Sequence, residues 1–198
     1  AFDTVDYLVK KNIEYFETWI DEVDAVIIPE ATCSAMINKD WEHYLHNQPE
    51  WKERAKKISS KIFLATKWLE NNTQLKDLLG KSGKKFDQLV TYHDPCHAKK
   101  MQGVWQEPRN LLKQNYVLKE MSDSNRCCGF GGVTMQTEKY DFAKAAGAPK
   151  AAMIRDTKAQ IVSAECSACR MQITNSLYQA NVDVQFKNPI ELIAEALD

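Results

Sequence analysis

Cysteine is the residue type in this chain best suited to chemistry, and five of the six cysteines fall into an ordered pattern. Cys96 comes first, the adjacent pair Cys127 and Cys128 follows, and Cys166 and Cys169 end the pattern as a CxxC pair. The opening sequence AFDTVDYLVKKNIEYF predicts an amphipathic helix rather than a secretory signal. Cysteines in such a chain indicate a reducing compartment, which we expect to be the cytoplasm, and favour metal or redox chemistry over a disulfide framework.

The adjacent cysteine pair limits the kind of metal site that fits. Neighbouring thiolates have difficulty occupying two corners of one tetrahedral zinc, but they easily reach two irons of a larger cluster. Gly129 and Gly131 follow the pair and can adopt positive φ, which brings backbone N–H groups close to sulfur, where they tune a reduction potential. Three alternatives stay open: a structural zinc on four of the cysteines, a disulfide active in thiol exchange, and inert buried thiols.

The sequence around Cys96 predicts a helix start. In HDPC, Asp94 is the expected N-cap and Pro95 the first helical residue, so Cys96 lies in the opening turn, where the helix dipole lowers the pKa of a thiol. His93 and His97 flank this cysteine. We expect both histidines beside the bound group, as hydrogen-bond donors rather than as direct ligands.

Hydrophobic patterning predicts the elements that position these residues. Strands are predicted at 24–29, 88–93, 116–121, 159–164 and 183–186. Helices are predicted at 2–23, around Ile37 to Tyr44, at 52–70, from Cys96, at 108–114, at 137–157, from Cys166 to about Ala180, and at 189–197. Alternating strands and helices indicate an α/β protein with small, mainly parallel sheets. Each cysteine group follows a predicted strand, so the five sulfurs are expected to converge at one sheet edge.

An internal similarity indicates two related strand-helix repeats, of which the first is incomplete. DAVIIPEATCSAM at 24–36 and AQIVSAECSAC at 159–169 share a strand, a turn and the block Cys-Ser-Ala, although chance similarity is the alternative. We therefore predict that residues 1–80 are the back half of a degenerate repeat and that 86–198 form a complete one. Cys33, aligned with Cys166, is expected to lie outside the metal site.

Charge and hydropathy exclude several classes of partner. Basic residues number 26 and acidic residues 27, which does not favour nucleic acid as a partner. The longest apolar runs are far shorter than the roughly 20 residues that span a bilayer. We expect no transmembrane segment in this chain.

Three sequence segments together resemble a known family. They are YHDPCH around Cys96, RCCGFGG around the cysteine pair, and the ending NPIELIAEAL. With the CxxC pair, they resemble the cysteine-rich CCG domain that occurs in subunits of heterodisulfide reductase, glycolate oxidase, anaerobic glycerol-3-phosphate dehydrogenase and related succinate or fumarate reductases. The resemblance covers residues 90–198 and is weaker over 1–70.

The resemblance implies a cofactor and its ligands. It implies a [4Fe-4S] cluster of noncubane type, with zinc as a replacement in an isolated fragment. The implied metal ligands are Cys96, Cys127, Cys128, Cys166 and Cys169. The implied cofactor-binding residues are Gly129, Gly131, His93 and His97. Met36 takes the place of the second CxxC cysteine in the first repeat, so no second cluster is expected.

The resemblance also implies partners and an activity. It implies an electron relay in a multi-subunit oxidoreductase, between a flavoprotein dehydrogenase subunit and quinone or another acceptor. A ferredoxin-like iron–sulfur domain would complete the path, and a membrane-anchored partner would hold the chain at the cytoplasmic face of the membrane. We expect no catalysis by this chain alone. The alternatives are a cluster-based disulfide reductase and a structural zinc-binding interaction module.

Overall fold

The first part of the chain forms helices around a two-stranded sheet. The structure, a computed structural model, describes residues 2–198, so Ala1 of the predicted first repeat lies outside it. The elements are α1 Phe2–Glu17, β1 Val26–Ile28, α2 Ala31–Ala35, α3 Trp41–Tyr44, α4 Pro49–Ser59, β2 Ile62–Leu64, α5 Ala65–Asn72 and α6 Leu75–Lys81. A 3₁₀ turn, Ile20–Glu22, follows α1, and a wider π turn, Met36–Asp40, joins α2 to α3. Strands β1 and β2 pair in parallel.

The second part of the chain forms a four-stranded parallel sheet with helices on both faces. Its elements are β3 Phe86–Tyr92, α7 Cys96–Gln102, α8 Glu107–Leu112, β4 Tyr116–Leu118, α9 Val133–Thr137, α10 Tyr140–Thr157, β5 Ile161–Ser163, α11 Ser167–Gln179, β6 Gln185–Lys187 and α12 Pro189–Leu197. The strand order is β4-β3-β5-β6, and every pair is parallel. The predicted α/β class with small parallel sheets is confirmed.

One predicted helix is wrong. Residues 52–70 do not form a single helix, because α4 ends at Ser59 and β2 intervenes before α5. The apolar residues of β2 continue the helical spacing of the sequence, which is why the pattern predicts a helix. Their backbone instead pairs with β1, and Ile62 and Leu64 are buried on one side of the strand.

Other boundaries differ from the sequence prediction. The helix predicted at 2–23 ends at Glu17, and the strand predicted at 116–121 ends at Leu118. The predicted surface connection at 78–87 begins inside α6, whose Leu79 is buried. Gly83 then turns the chain with φ of +69° into β3, which starts at Phe86. The division of the chain into 1–80 and 86–198 stays a prediction.

The core covers both faces of the larger sheet. In β5 the adjacent residues Ile161 and Val162 lie on opposite faces, as successive residues of a strand do. Ile161 packs with Leu79 and residues of α8 and α12, and Val162 packs with residues of α10 and α11. Ala31 and Leu64 from the first part of the chain belong to the same cluster as Val162, so buried apolar contacts join the two parts.

The first part has a further cluster of its own. Val9 and Ile13 of α1 pack against Trp41 and Ile58 there, and all four are buried. None of the helices among residues 2–198 is long and apolar enough to cross a membrane.

Candidate metal centre

The sheet topology brings the three cysteine segments to one edge. From β3 the chain moves to β4 on one side, and from β5 it moves to β6 on the other. The direction in which successive strands are added therefore reverses between β3 and β5. In open α/β sheets, the crevice beyond the carboxyl ends of the strands at such a point is the usual ligand site. Cys96 begins α7 after β3, and Cys166 is the N-cap of α11 after β5. Cys127 and Cys128 lie in the loop between β4 and α9.

The buried thiols lie in contact without forming a disulfide. The Sγ atoms of Cys128 and Cys169 are 3.5 Å apart, well beyond the roughly 2.05 Å of an S–S bond. These two sulfurs and a ring nitrogen of His93 lie within 4.8 Å of one another, and all three side chains are buried. All six cysteines are free, with Cys127 exposed and Cys96 half-buried. Two of the strand ends and the CCG loop thus meet at one buried point.

Hydrogen bonds to the sulfurs and burial have opposite effects on the pKa values of several of these cysteines. Hydrogen bonding with Cys127 and Cys169 lowers the pKa of Cys128, while the same contacts raise the pKa values of those two partners. The contact with Cys169 lowers the pKa of Cys166 to about 6, against the effect of burial. Its hydrogen-bonding neighbour His97 lowers the pKa of Cys96, also against burial. The thiolate form, which binds metal, is therefore favoured at Cys96, Cys128 and Cys166.

The glycines after the cysteine pair fold the loop tightly around the sulfurs. The backbone N–H of Gly129 donates a hydrogen bond to Cys127 Sγ at 3.4 Å. Gly129 has φ of +92°, and a Cβ there would lie 2.9 Å from the Gly147 nitrogen in α10. Gly131 has φ of +65°, and a Cβ there would lie 2.4 Å from Met135 Cγ. The expected positive φ is confirmed at both glycines, and only glycine fits them without strain.

The two histidines have different environments. His93 is 1% exposed, and its Nδ1 lies 3.2 Å from the carbonyl oxygen of Ser124. Its Nε2 has no hydrogen-bond partner among the described residues. His97 is half-buried, and its Nδ1 lies 3.6 Å from Cys96 Sγ. Hydrogen bonding to that sulfur raises the pKa of His97.

Asp94 does not act as the expected N-cap. Pro95 holds that position in α7, and the buried carboxylate of Asp94 turns away to bind Arg109 at 2.6 Å, Lys99 at 2.7 Å and Ser124 at 3.0 Å. Burial alone would raise the pKa of Asp94, but the hydrogen bonds from Lys99 and Arg109 lower it. This network ties the end of β3 to the loop that carries the cysteine pair.

A second polar contact braces Cys166 from the first part of the chain. The preceding residue, Glu165, is fully buried and accepts hydrogen bonds from Thr66 Oγ1 at 2.6 Å and from Thr66 N at 3.1 Å. Burial raises the pKa of Glu165 to about 7. Thr32 Oγ1 lies 3.4 Å from Cys166 Sγ, and Glu30 accepts from the Ser167 N–H at 2.5 Å. Contacts from the starts of α2 and α5 therefore hold the N-terminus of α11 in place.

Cys33 occupies a different position in its helix from the one that the internal sequence similarity indicates. Counted from the N-cap Glu30, Cys33 lies three residues into its helix, as Cys169 does from the N-cap Cys166. Position in the helix thus matches Cys33 with Cys169 rather than with Cys166. Cys33 is exposed.

Sequence reasoning missed the polar residues that hold the site. The Glu165–Thr66 pair joins residues 99 positions apart, and no local pattern signals it. A signal did exist for Lys150, which lies on the buried stripe of α10 at helical spacing. The other buried members of that stripe are Ala143, Gly147, Ala151, Ile154 and Thr157. A lysine on such an apolar stripe marks a buried charge.

Several known proteins are similar in sequence to this chain. Lactate utilization protein A of Geobacillus thermodenitrificans is 27% identical over 175 residues, which are 87% of this chain and 70% of that protein. One of the subunits of the fumarate reductase (CoM/CoB) of Methanothermobacter marburgensis is 31% identical over 96% of this chain but only 35% of its own length. An uncharacterized iron–sulfur protein of Methanocaldococcus jannaschii is 28% identical over 98% of this chain and 36% of its own length.

The family comparison covers the site itself. Residues 90–174 match the sequence profile of the family described as CCG, cysteine-rich domain. The matched range begins in β3 and ends in α11, and it includes Cys96, Cys127, Cys128, Cys166 and Cys169. The segment 90–174, which holds all five of these cysteines, therefore matches the cysteine-rich CCG domain family.

Proposed function

We propose that this chain binds an iron–sulfur cluster and passes electrons within a multi-subunit oxidoreductase. The observation that carries the proposal is the meeting of the free thiols of Cys128 and Cys169 with His93, which brings three separate segments together beyond the carboxyl ends of β3 and β5. Two relatives support it by name, since one is an iron–sulfur protein and one is a fumarate reductase subunit. The electrons would pass between a flavoprotein dehydrogenase subunit and quinone or another acceptor.

The residues present fit such a cluster. Five thiols exceed what one tetrahedral zinc requires. His93 supports the fit from inside the core. Its buried Nε2 has no hydrogen-bond partner among the described residues, and one of its ring nitrogens lies within 4.8 Å of the Cys128 and Cys169 sulfurs. Buried polar atoms normally have a partner, so a group beside these sulfurs would give the ring one. The proposed ligands are Cys96, Cys127, Cys128, Cys166 and Cys169.

The protein's own contribution is to hold, orient and partly desolvate these ligands. A bound cluster of the proposed noncubane [4Fe-4S] type would supply one-electron chemistry. Gly129 donates its N–H to Cys127, and His93 lies beside Cys128 and Cys169, so both are proposed as cofactor-binding residues. Gly131 shapes the loop, and His97 lies beside Cys96.

The proposal also covers the partner proteins of this chain and its location in the cell. It spans about a third of the fumarate reductase subunit that it matches, so further domains and subunits are needed to complete an electron path. We propose a ferredoxin-like iron–sulfur domain and a flavoprotein subunit as partners, in the cytoplasm or, through a membrane-anchored partner, at its face of the membrane.

Metal analysis tests the proposal. After anaerobic reconstitution with iron and sulfide, we expect about four irons per chain with matching sulfide. One tight zinc with iron near zero would contradict the proposal and support the structural zinc module instead. Chelation of zinc before reconstitution excludes carry-over from expression.

The exposure of Cys127 favours a second candidate, reduction of a disulfide substrate at the same site. Such a reaction takes two electrons and two protons from a donor and releases two thiols. The cavity of about 490 Å³ beside the CCG loop is not a substrate pocket at the thiols, because its lining includes Asp94, Trp105 and Arg109 but none of the five cysteines. Release of thiols from a low-molecular-weight disulfide by the reduced, cluster-loaded protein would support this candidate over the relay.

A further inference from the structure

A lysine lies buried in the wall of the metal centre. Lys150, in the middle of α10, is 0% exposed. Its Nζ donates hydrogen bonds to the carbonyl oxygens of Asp123 at 2.8 Å and Ser124 at 3.4 Å, and it lies 3.4 Å from Met121 Sδ. These three residues belong to the loop that leads to Cys127 and Cys128. None of the three contacting atoms carries a formal charge, so the hydrogen bonds leave the ammonium charge unbalanced.

A buried ammonium group needs a negative charge nearby, because desolvation of an unpaired ion is costly. Burial lowers the pKa of Lys150 to about 8, while charges on Asp123, Cys128, Asp94 and Cys169 act in the opposite direction. These four groups are the candidates for its counter-charge. The packing places the thiols close to this part of α10, because Cys128 and Cys169 belong to one buried cluster with Met121, which contacts Lys150, and Ala151, which follows it.

Two of the four candidates are weak. The side chain of Asp123 is exposed, so water screens its charge. Asp94 is already balanced, because it forms ion pairs with Arg109 and Lys99. The buried thiols Cys128 and Cys169 remain. Both are proposed ligands of the cluster, and as ligands both would be thiolates and carry negative charge.

We propose that Lys150 is the buried counter-charge of the metal centre and raises the reduction potential of the bound cluster. This inference rests on the proposed function. Reduction adds an electron to the cluster, and a cation fixed in a poorly solvated wall stabilises the more negative, reduced form. Lys150 acts through the field at the thiolates and through the loop, so it is a positioning residue and not a ligand.

The test is a redox titration of variants that remove the charge. Lys150→Met keeps an unbranched chain that fills the site, and Lys150→Gln keeps N–H donors for the loop carbonyls. In anaerobically reconstituted protein, we expect both variants to disfavour one-electron reduction tenfold or more. That change is a shift of the midpoint potential by about 59 mV toward more negative values. Iron content and circular dichroism are measured on the same samples.

Lys144→Met is the matched control. Lys144 lies in the same helix, but its side chain is exposed and paired with Asp141 at 2.8 Å. Its removal should leave the midpoint potential unchanged. A shift in this control as large as that in the Lys150 variants would overturn the proposal, because the effect would then reflect net charge alone.

The remaining outcomes separate the two proposals. If wild-type protein holds iron and the Lys150 variants titrate at the wild-type potential, the inference is wrong and the proposed function stands. If wild-type protein holds no iron, both fail. If only the Lys150 variants lose iron, their melting temperatures are compared with that of iron-free wild-type protein, to separate loss of the counter-charge from loss of the loop's support. An equal or higher melting temperature supports a counter-charge, and a lower one shows an anchor for the loop instead.

Discussion

At the scale of single residues, the adjacent cysteines define the site most sharply. Cys127 is exposed and accepts the N–H of Gly129, while Cys128 is buried against Cys169. Two neighbouring side chains thus face different surroundings, and neither can take the place of the other. This difference agrees with the sequence argument that an adjacent pair reaches two irons of one cluster rather than two corners of one zinc.

We expect Cys127→Ser and Cys128→Ser each to abolish the native cluster spectrum, because each removes a thiolate that no neighbour replaces. Electron paramagnetic resonance of anaerobically reconstituted protein is the measurement. Cys33→Ser is the control, since Cys33 is exposed and lies outside the five-cysteine pattern. It should keep the iron content and change the free energy of unfolding by no more than about 0.5 kcal/mol. An unchanged signal in either member of the pair, or a lost one in the control, would refute this ligand set.

At the scale of elements, a buried hydrogen bond joins the start of α5 to the start of α11. The hydroxyl of Thr66 donates to Glu165 at 2.6 Å, and Glu165 directly precedes Cys166. Both residues are fully buried. The helix that carries the CxxC pair is therefore held in place by the first part of the chain.

Thr66→Val should lower the free energy of unfolding by about 1 to 3 kcal/mol, because it leaves a buried carboxyl oxygen without its donor. Urea unfolding of wild-type and variant protein measures this difference. Thr18→Val is a suitable control, because Thr18 is exposed and its hydroxyl bonds only within its own turn, to Tyr15. Equal urea midpoints for the Thr66 variant and wild type would show that this junction does not stabilise the fold.

Several elements could be predicted from sequence because their signals are local. The β-branched run before Pro29 predicts β1, and the pattern from Gln88 to His93 predicts most of β3. Strand β2 could not be predicted, since its three residues fit the apolar spacing of the flanking helices and only pairing with β1 decides their conformation. Local propensity is a weak guide where tertiary contacts compete with it.

At the scale of the whole molecule, the candidate site could be predicted in outline because topology determines it. Parallel strands deliver their following loops to one edge, so three cysteine segments after three strands must approach each other. The parts that close the site depend on long-range packing. Asp94 fits an N-cap by sequence, yet it pairs with Arg109 across 15 positions. Lys150 becomes buried only when α10 packs against the CCG loop.

The ligand set is the central claim, and anomalous diffraction at the iron absorption edge tests it most directly. Crystals of anaerobically reconstituted protein should show iron within bonding distance of the Sγ atoms of Cys96, Cys127, Cys128, Cys166 and Cys169, with no metal at Cys33. A single anomalous peak at the zinc edge, bound by four of these sulfurs, would contradict the claim.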